Sequence, residues 1–249
     1  MAVASRDEIA GFCDELLGSA AIPDGLPNGL QVPGATEVTL LISGVTASLE
    51  LFHRAAAEGA QMVLVHHGMF YGAPRGPIDA RERARLKALF DADMSLLAYH
   101  LPLDAHPELG NSALVAGLLG LTGVRPFQRF GVVGELEPPV AFDELLARVE
   151  REVRREPLVL RNGPDAVGRV AVITGSAAGE LAAAADAGAD VFLTGEPREP
   201  AAAESREAGI HFIAAGHHAT EVFGVRALGD LLAQRFGVEH RYVDIPNPI

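Results

Sequence analysis

The chain has one cysteine in 249 residues, and that scarcity already excludes whole classes of chemistry. A lone thiol, Cys13, rules out an intrachain disulfide and any thiolate-rich zinc site. Its place among Ile9, Phe12 and Leu16, at helical spacing, reads as core packing. Basic residues are also short: 20 Lys and Arg face 33 Asp and Glu, a formal net charge of -13. A surface that neutralises duplex phosphates needs concentrated positive charge, so duplex nucleic acid is not expected as the main partner. A small phosphorylated substrate stays open, because a metal cluster and a few local arginines reverse the field inside a cleft. Long apolar runs are missing as well. None approaches the ~20 residues of a membrane span, and no membrane partner is expected. The opening Met-Ala-Val-Ala-Ser-Arg-Asp-Glu lacks the layout of a signal peptide, so the expected location is the cytoplasm. Gly175-Ser-Ala-Ala-Gly179 follows an apolar run but carries neither a Walker-type lysine nor a full G-x-G-x-x-G, and it reads as a plain connection.

What is present is a compact pattern of alternating strands and helices. Hydrophobic residues make up 49% and charged residues 21%, which excludes an extensively disordered chain. Ser5-Arg-Asp-Glu8 is a capping box before a helix that stops at Gly18. A turn-rich link, Pro23 to Pro33, leads to a strand over Val38 to Val45, a helix from Thr46 to Gly59, and a second strand from Met62 to His66. A helix over Asp79 to Phe90, a strand over Ser95 to His100 and a helix over Asn111 to Leu119 continue the rhythm. Further on, Phe142 to Arg155 reads as a helix, Gly168 to Thr174, Val191 to Thr194 and Ile210 to Ala215 as strands, and Gly224 to Gly237 as a helix before a last strand, Glu239 to Ile245. This predicts an α/β protein with mixed or mostly parallel sheets. Two lobes are expected. Residues 1–126 with 191–249 would form a metal-binding lobe from both chain ends, and 127–190 an inserted second α/β lobe.

Three of these apolar runs end in ligand-type side chains. Val63-Leu-Val65 runs into His66 and His67, Met94 to Ala98 into Tyr99, His100 and Asp104, and Ile210 to Ala215 into His217, His218 and Glu221. An isolated His pair is most simply one packed and one solvated side chain; three strand ends of the same kind argue for a site. His66, His67, Asp104, His217 and Glu221 supply imidazoles and carboxylates enough for two ions when one carboxylate bridges. Neighbours on a regular strand diverge, which suits His66 and His67 to two adjacent ions rather than one. A helical turn from Gly216 puts His217 and Glu221 on one face. The mixed N/O set suits two divalent transition-metal ions, whether Zn, Mn, Fe, Co or Ni. His100 is read as an outer donor to the ligands or as the catalytic proton carrier. His218 is another such donor or a packed side chain, and His53 and His240 are read as surface. The loop Gly68 to Pro77 is placed to cover the site, and Arg81, Arg83, Arg85 and Lys87 beside it form a solvated face or a phosphate contact.

Pro27-Asn-Gly-Leu-Gln-Val32, Gly44-Val-Thr-Ala-Ser48, Val65-His-His-Gly-Met-Phe70, the run Tyr99 to Asn111, Leu193-Thr-Gly-Glu196, Ala215-Gly-His-His-Ala-Thr-Glu221 and Asp244-Ile-Pro-Asn-Pro248 together resemble the Nif-three-like family, also carried as GTP cyclohydrolase 1 type 2 homologues. The resemblance runs from about Asn28 to the C-terminal residues, loosely over Phe127 to Arg169. It implies a two-lobed Nif-three-like fold, a toroidal homohexamer and a dinuclear site facing an interior cavity. The family's ligands fall on His66, His67, Asp104, His217 and Glu221, with Glu221 as the bridge. The expected function is a metal-dependent hydrolase acting on a small-molecule substrate, a nucleotide or a cyclic amide or amidine. The alternative is a metal-binding or metallochaperone module without turnover, which needs the same ligands but neither a proton relay nor a substrate wall.

Overall fold

The computed structural model describes residues 2–71 and 77–249. It divides into two compact units, residues 1–106 with 224–246, and 107–223 with 247–249.

In the first unit, β1 (Ala4–Ser5) leads into α1 (Arg6–Leu17). Ser5 caps this helix by accepting from the Glu8 amide, and Gly18 ends it in the left-handed conformation, as the capping box predicts. Next come β2 (Gly29–Val32), β3 (Glu37–Val38), β4 (Leu40–Thr46), α2 (Leu49–Ala57), β5 (Met62–His67), α3 (Ala80–Asp91), β6 (Ser95–Ala98) and the single turn α4 (Leu101–Asp104). The parallel strands β4, β5 and β6 lie side by side, and β2 pairs antiparallel with β6. All three parallel strands are buried almost throughout, so their side chains are apolar on both faces. Cys13 is wholly buried in this unit, and burial pushes its thiol up to about 12, which leaves it inert, as its spacing in α1 suggests.

The second unit opens with α5 (Asn111–Leu118) and the hairpin β7 (Thr122–Phe127) and β8 (Gly131–Ala141). It continues with α6 (Phe142–Val153), β9 (Leu158–Leu160), β10 (Ala166–Ile173), α7 (Leu181–Asp186), β11 (Val191–Thr194), α8 (Ala201–Ala208), β12 (His211–Ala214) and the turn α9 (His217–Thr220). The strand order is β7-β8-β10-β11-β12-β9, with β10, β11 and β12 parallel. Alternate residues serve two cores. Val170, Val172, Val191 and Leu193 pack with Leu145 and Val149 of α6, while Ala171, Ile173 and Phe192 pack with Leu181 and Ala184 of α7. Each such large apolar side chain contributes ~2 kcal/mol by leaving water.

The chain then enters α10 (Val222–Phe236), whose Gly224 begins the return to the first unit, and ends that unit's five-stranded sheet with β13 (Glu239–Tyr242), parallel to β4. The division therefore differs from the expected inserted lobe at 127–190. Strands β11 and β12 extend the parallel run begun by β10, so 191–223 belongs to the second unit. Alternating strands and helices run through position 190 without a linker signal, which is why composition marks no boundary there.

His240 also departs from its surface assignment. Its side chain is 4% exposed, with Nε2 at 2.7 Å from Ser43 Oγ and Nδ1 at 2.8 Å from Asp230 Oδ1. The register of β13 on β4 turns the ring inward, and Gly229 of α10 leaves the room it fills. His53, by contrast, is exposed on α2. Residues 72–76 of the loop expected to cover the site lie outside the described residues. On α3, Arg81 is 87% exposed and tied to Asp79 at 2.8 Å, and Lys87 pairs with Asp91, as a solvated charge run would be. Among the described residues no helix is long and apolar enough to cross a membrane.

Candidate metal centre

The first unit delivers its histidines by strand register. Val65 stands opposite Ala98, and the Tyr99 amide donates to the Val65 carbonyl at 3.0 Å, so the chain leaves β5 and β6 at the same level. Side chains released there enter the crevice beyond the carboxyl ends of parallel strands. His66 is wholly buried, with Nδ1 at 3.0 Å from the Tyr99 carbonyl oxygen. That oxygen only accepts, so Nδ1 carries the proton and Nε2 keeps its lone pair. His67 pairs in register with Thr46, whose Oγ1 stands 3.1 Å from its Nδ1. His100 follows β6, and its Nδ1 lies 3.1 and 3.2 Å from the two carboxylate oxygens of Asp24.

These three imidazoles converge. One ring nitrogen from each of His66, His67 and His100 lies within 4.8 Å of the others. The expectation that neighbouring His66 and His67 diverge is therefore too strict, since their ring centroids are 4.8 Å apart at the end of β5. Asp104 completes the cluster. The turn of α4 starts at His100, whose carbonyl accepts from the Asp104 amide at 3.1 Å, and it brings Asp104 Oδ2 to 3.5 Å from His66 Nε2.

The segment around β2 braces both strand ends. Gln31 Oε1 accepts from the Met69 amide at 2.9 Å, and Asn28 Oδ1 accepts from the His100 amide at 2.8 Å. A Cβ at Gly68 would run into the Gln31 amide group and push it off the Met69 amide that it holds.

The second unit supplies a group of its own. The turn α9 brings Glu221, its C-terminal cap, over His217, and His217 Nε2 lies 3.0 Å from Glu221 Oε2. The other nitrogen, Nδ1, bonds to Glu196, which follows β11. Glu221 is 3% exposed. Space for its carboxylate comes from Gly175, where a Cβ would collide with Glu221 Oε1, and Gly195 packs its α-carbon against the His217 backbone. The stretch from Gly175, expected to be a plain connection, is thus shaped by close approach to Glu221. His218 is buried, consistent with packing, and its amide donates to the Ile249 carbonyl at 2.9 Å.

Burial lowers the His217 pKa, but the Glu221 and Glu196 carboxylates outweigh it and raise it to about 9. A histidine with a raised folded value contributes its stability fully below the ordinary 6.5, and loses it as pH rises through about 9. Metal-free protein is therefore expected to unfold at lower urea concentration at high pH than at neutral pH, and Glu196→Gln should flatten that dependence. A midpoint indifferent to pH across this window would show that His217 is not clamped as an imidazolium.

All five expected ligands thus sit in polar clusters, His66, His67 and Asp104 in one unit and His217 and Glu221 in the other. The donor set fits a divalent transition metal, because imidazole lone pairs meet carboxylates with no thiolate, and each ring is oriented through Nδ1. Sequence reasoning missed the orienting groups Asp24, Thr46 and Glu196. Glu196 was findable, since it ends an apolar strand in the same way as the other clusters. Asp24, in a turn 76 residues from His100, had no such signal.

Residues 4–248 match the model of the Duf34/NIF3 family (NGG1p interacting factor 3). A Haemophilus influenzae protein named "GTP cyclohydrolase 1 type 2 homolog" is 40% identical over 246 residues, covering 97% of this chain and 98% of the relative. The protein of the same name from Escherichia coli (strain K12) is 45% identical over 242 residues, with 97% and 98% covered. Among solved structures, "protein ybgI, unknown function" superposes with a TM-score of 0.94 at 44% identity, covering 99% of this chain and 100% of that one. The protein TTHA1606 from Thermus thermophilus gives a TM-score of 0.92 at 36% identity, with 99% and 100% covered.

Proposed function

The chain belongs to the Duf34/NIF3 family, and from that premise we propose that it is a dinuclear metal-dependent hydrolase of a nucleotide or of a related cyclic amide or amidine. The observation that carries this reading is that the three ligand histidines, His66, His67 and His217, each have Nδ1 already engaged. Evolved metal ligands are oriented in this way, whereas solvated histidines have no need of it. His66, His67, Asp104, His217 and Glu221 would hold two divalent ions, with Glu221 shared between them. When bound, such a pair acidifies water and polarises the group under attack. His100 takes and returns the proton at Nε2, while its Nδ1 stays on Asp24. Phosphate contacts by Arg81 or Arg85 would appear as a raised KM on replacement by alanine.

The test is incubation of metal-loaded protein with GTP and with a panel of nucleotides and cyclic amides, following formate release for attack at the imidazole carbon of the purine. Turnover of none of them, with delivery of metal to an acceptor protein, would replace the hydrolase by a metallochaperone. The same reading includes a homohexamer, since closed symmetric assemblies bury apolar surface that a single chain leaves exposed. Light scattering in moderate salt should then give about six times the 26.1 kDa chain mass, and a stable monomer would remove the enclosed cavity.

A further inference from the structure

We propose that Asp24 is the positioning residue for His100, holding its proton on Nδ1 so that Nε2 faces the His66–His67 pair. The inference rests on the reading of His100 as the proton carrier, but its test does not require turnover.

Asp24 sits in the turn between α1 and β2, and its side chain is 3% exposed. Its Oδ1 accepts from the Leu26 amide at 3.1 Å, and its Oδ2 from Asn28 Nδ2 at 3.0 Å and the Leu101 amide at 3.0 Å. Three donors from three separate residues fix the plane of the carboxylate, so it cannot rotate away from the imidazole. Both oxygens then meet His100 Nδ1, at 3.1 and 3.2 Å. Asn28 works from the other side, since its Oδ1 holds the His100 amide at 2.8 Å. The ring and its backbone are therefore anchored to one preformed turn.

A purely structural Asp24 would cap the Leu101 turn and close its own turn. Burying a carboxylate for that purpose carries a desolvation cost that a neutral amide or hydroxyl would largely avoid. The charge is accounted for when its fourth partner is an imidazole N–H. The candidate ligands are oriented in the same manner, His66 by a neutral carbonyl and His217 by the Glu196 carboxylate. A carboxylate behind the ring fixes both its orientation and the nitrogen that carries the proton.

Side-chain ¹⁵N NMR of metal-free protein at about pH 8 reads the tautomer directly. Wild type is expected to show His100 solely as the Nδ1–H form. Asp24→Asn should lose that single form to a mixture of tautomers, with the signals of His211 and His240 unchanged. With a working substrate, Asp24→Asn should lower kcat about 10- to 100-fold at unchanged KM, and Asp24→Glu should recover part of it. A wild-type His100 protonated on Nε2 would overturn the proposal, even if the variant failed to fold. So would a folded Asp24→Asn protein that keeps the wild-type tautomer. If the tautomer shifts as expected while wild type turns over nothing, the hydrolase reading fails and the assignment of Asp24 stands.

Discussion

Replacing Glu221 by alanine is expected to strip the protein of more than half its metal. Purified without chelator, wild type should carry about two transition-metal ions per chain, because five N/O ligands serve a pair when one carboxylate is shared. Glu221 is that carboxylate in the proposed arrangement, so its loss removes a ligand from both ions, whereas His66→Ala removes one from a single ion. Elemental analysis separates the two outcomes. His53→Ala should leave the content unchanged, since His53 is exposed on α2. His100→Ala should keep both ions and slow any turnover by about 100-fold or more, as loss of a proton-transfer group does. Wild type that stays metal-free and refuses Zn, Mn, Co and Fe would sink the proposal, and a His53→Ala loss matching that of His66→Ala would show the ligands misassigned.

The legible parts of this molecule were those with local causes. The capping box at Ser5, the glycine stop at Gly18 and the strand-to-ligand junctions at His66, His100 and His217 each arise from residues within a few positions of one another. The unit boundary was not legible, because it depends on β11 and β12 joining β10 rather than the sheet of β4 to β6, and parallel pairing leaves no local mark. His240 was misread for a related reason: its partners Ser43 and Asp230 come from β4 and α10, and only the β13 register brings them to the ring. Asp24 is the same case inside the candidate centre. Nothing in a Pro/Gly-rich turn distinguishes a carboxylate that closes the turn from one that also holds a distant imidazole. What periodicity resolves is the first layer of donors; the groups that orient them are tertiary.

Gly195→Ala tests whether backbone approach builds the His217 and Glu221 group. A Cβ at Gly195 would lie 2.5 Å from the Gly175 carbonyl oxygen and 2.7 Å from the His217 α-carbon, and both obstacles are main chain that no rotamer can move aside. The Gly195 amide also donates to the Gly175 carbonyl at 2.9 Å, and the Glu196 amide to the same oxygen at 3.1 Å, so separating these segments breaks the contact that places Glu196 behind His217. Overpacking of this kind costs about 3 kcal/mol, which for a chain of this length lowers the melting temperature by roughly 10 °C. Metal should fall with it, because His217 and Glu221 lose their alignment. Gly117→Ala is the matching control. Gly117 lies in α5 of the same unit with nothing within 4 Å of the added Cβ, so alanine should stabilise by about 0.5–1 kcal/mol through backbone entropy and leave the metal content unchanged. A Gly195→Ala protein that melts with wild type and retains full metal would show that the Gly175, Gly195 and His217 backbones do not meet as closely as described.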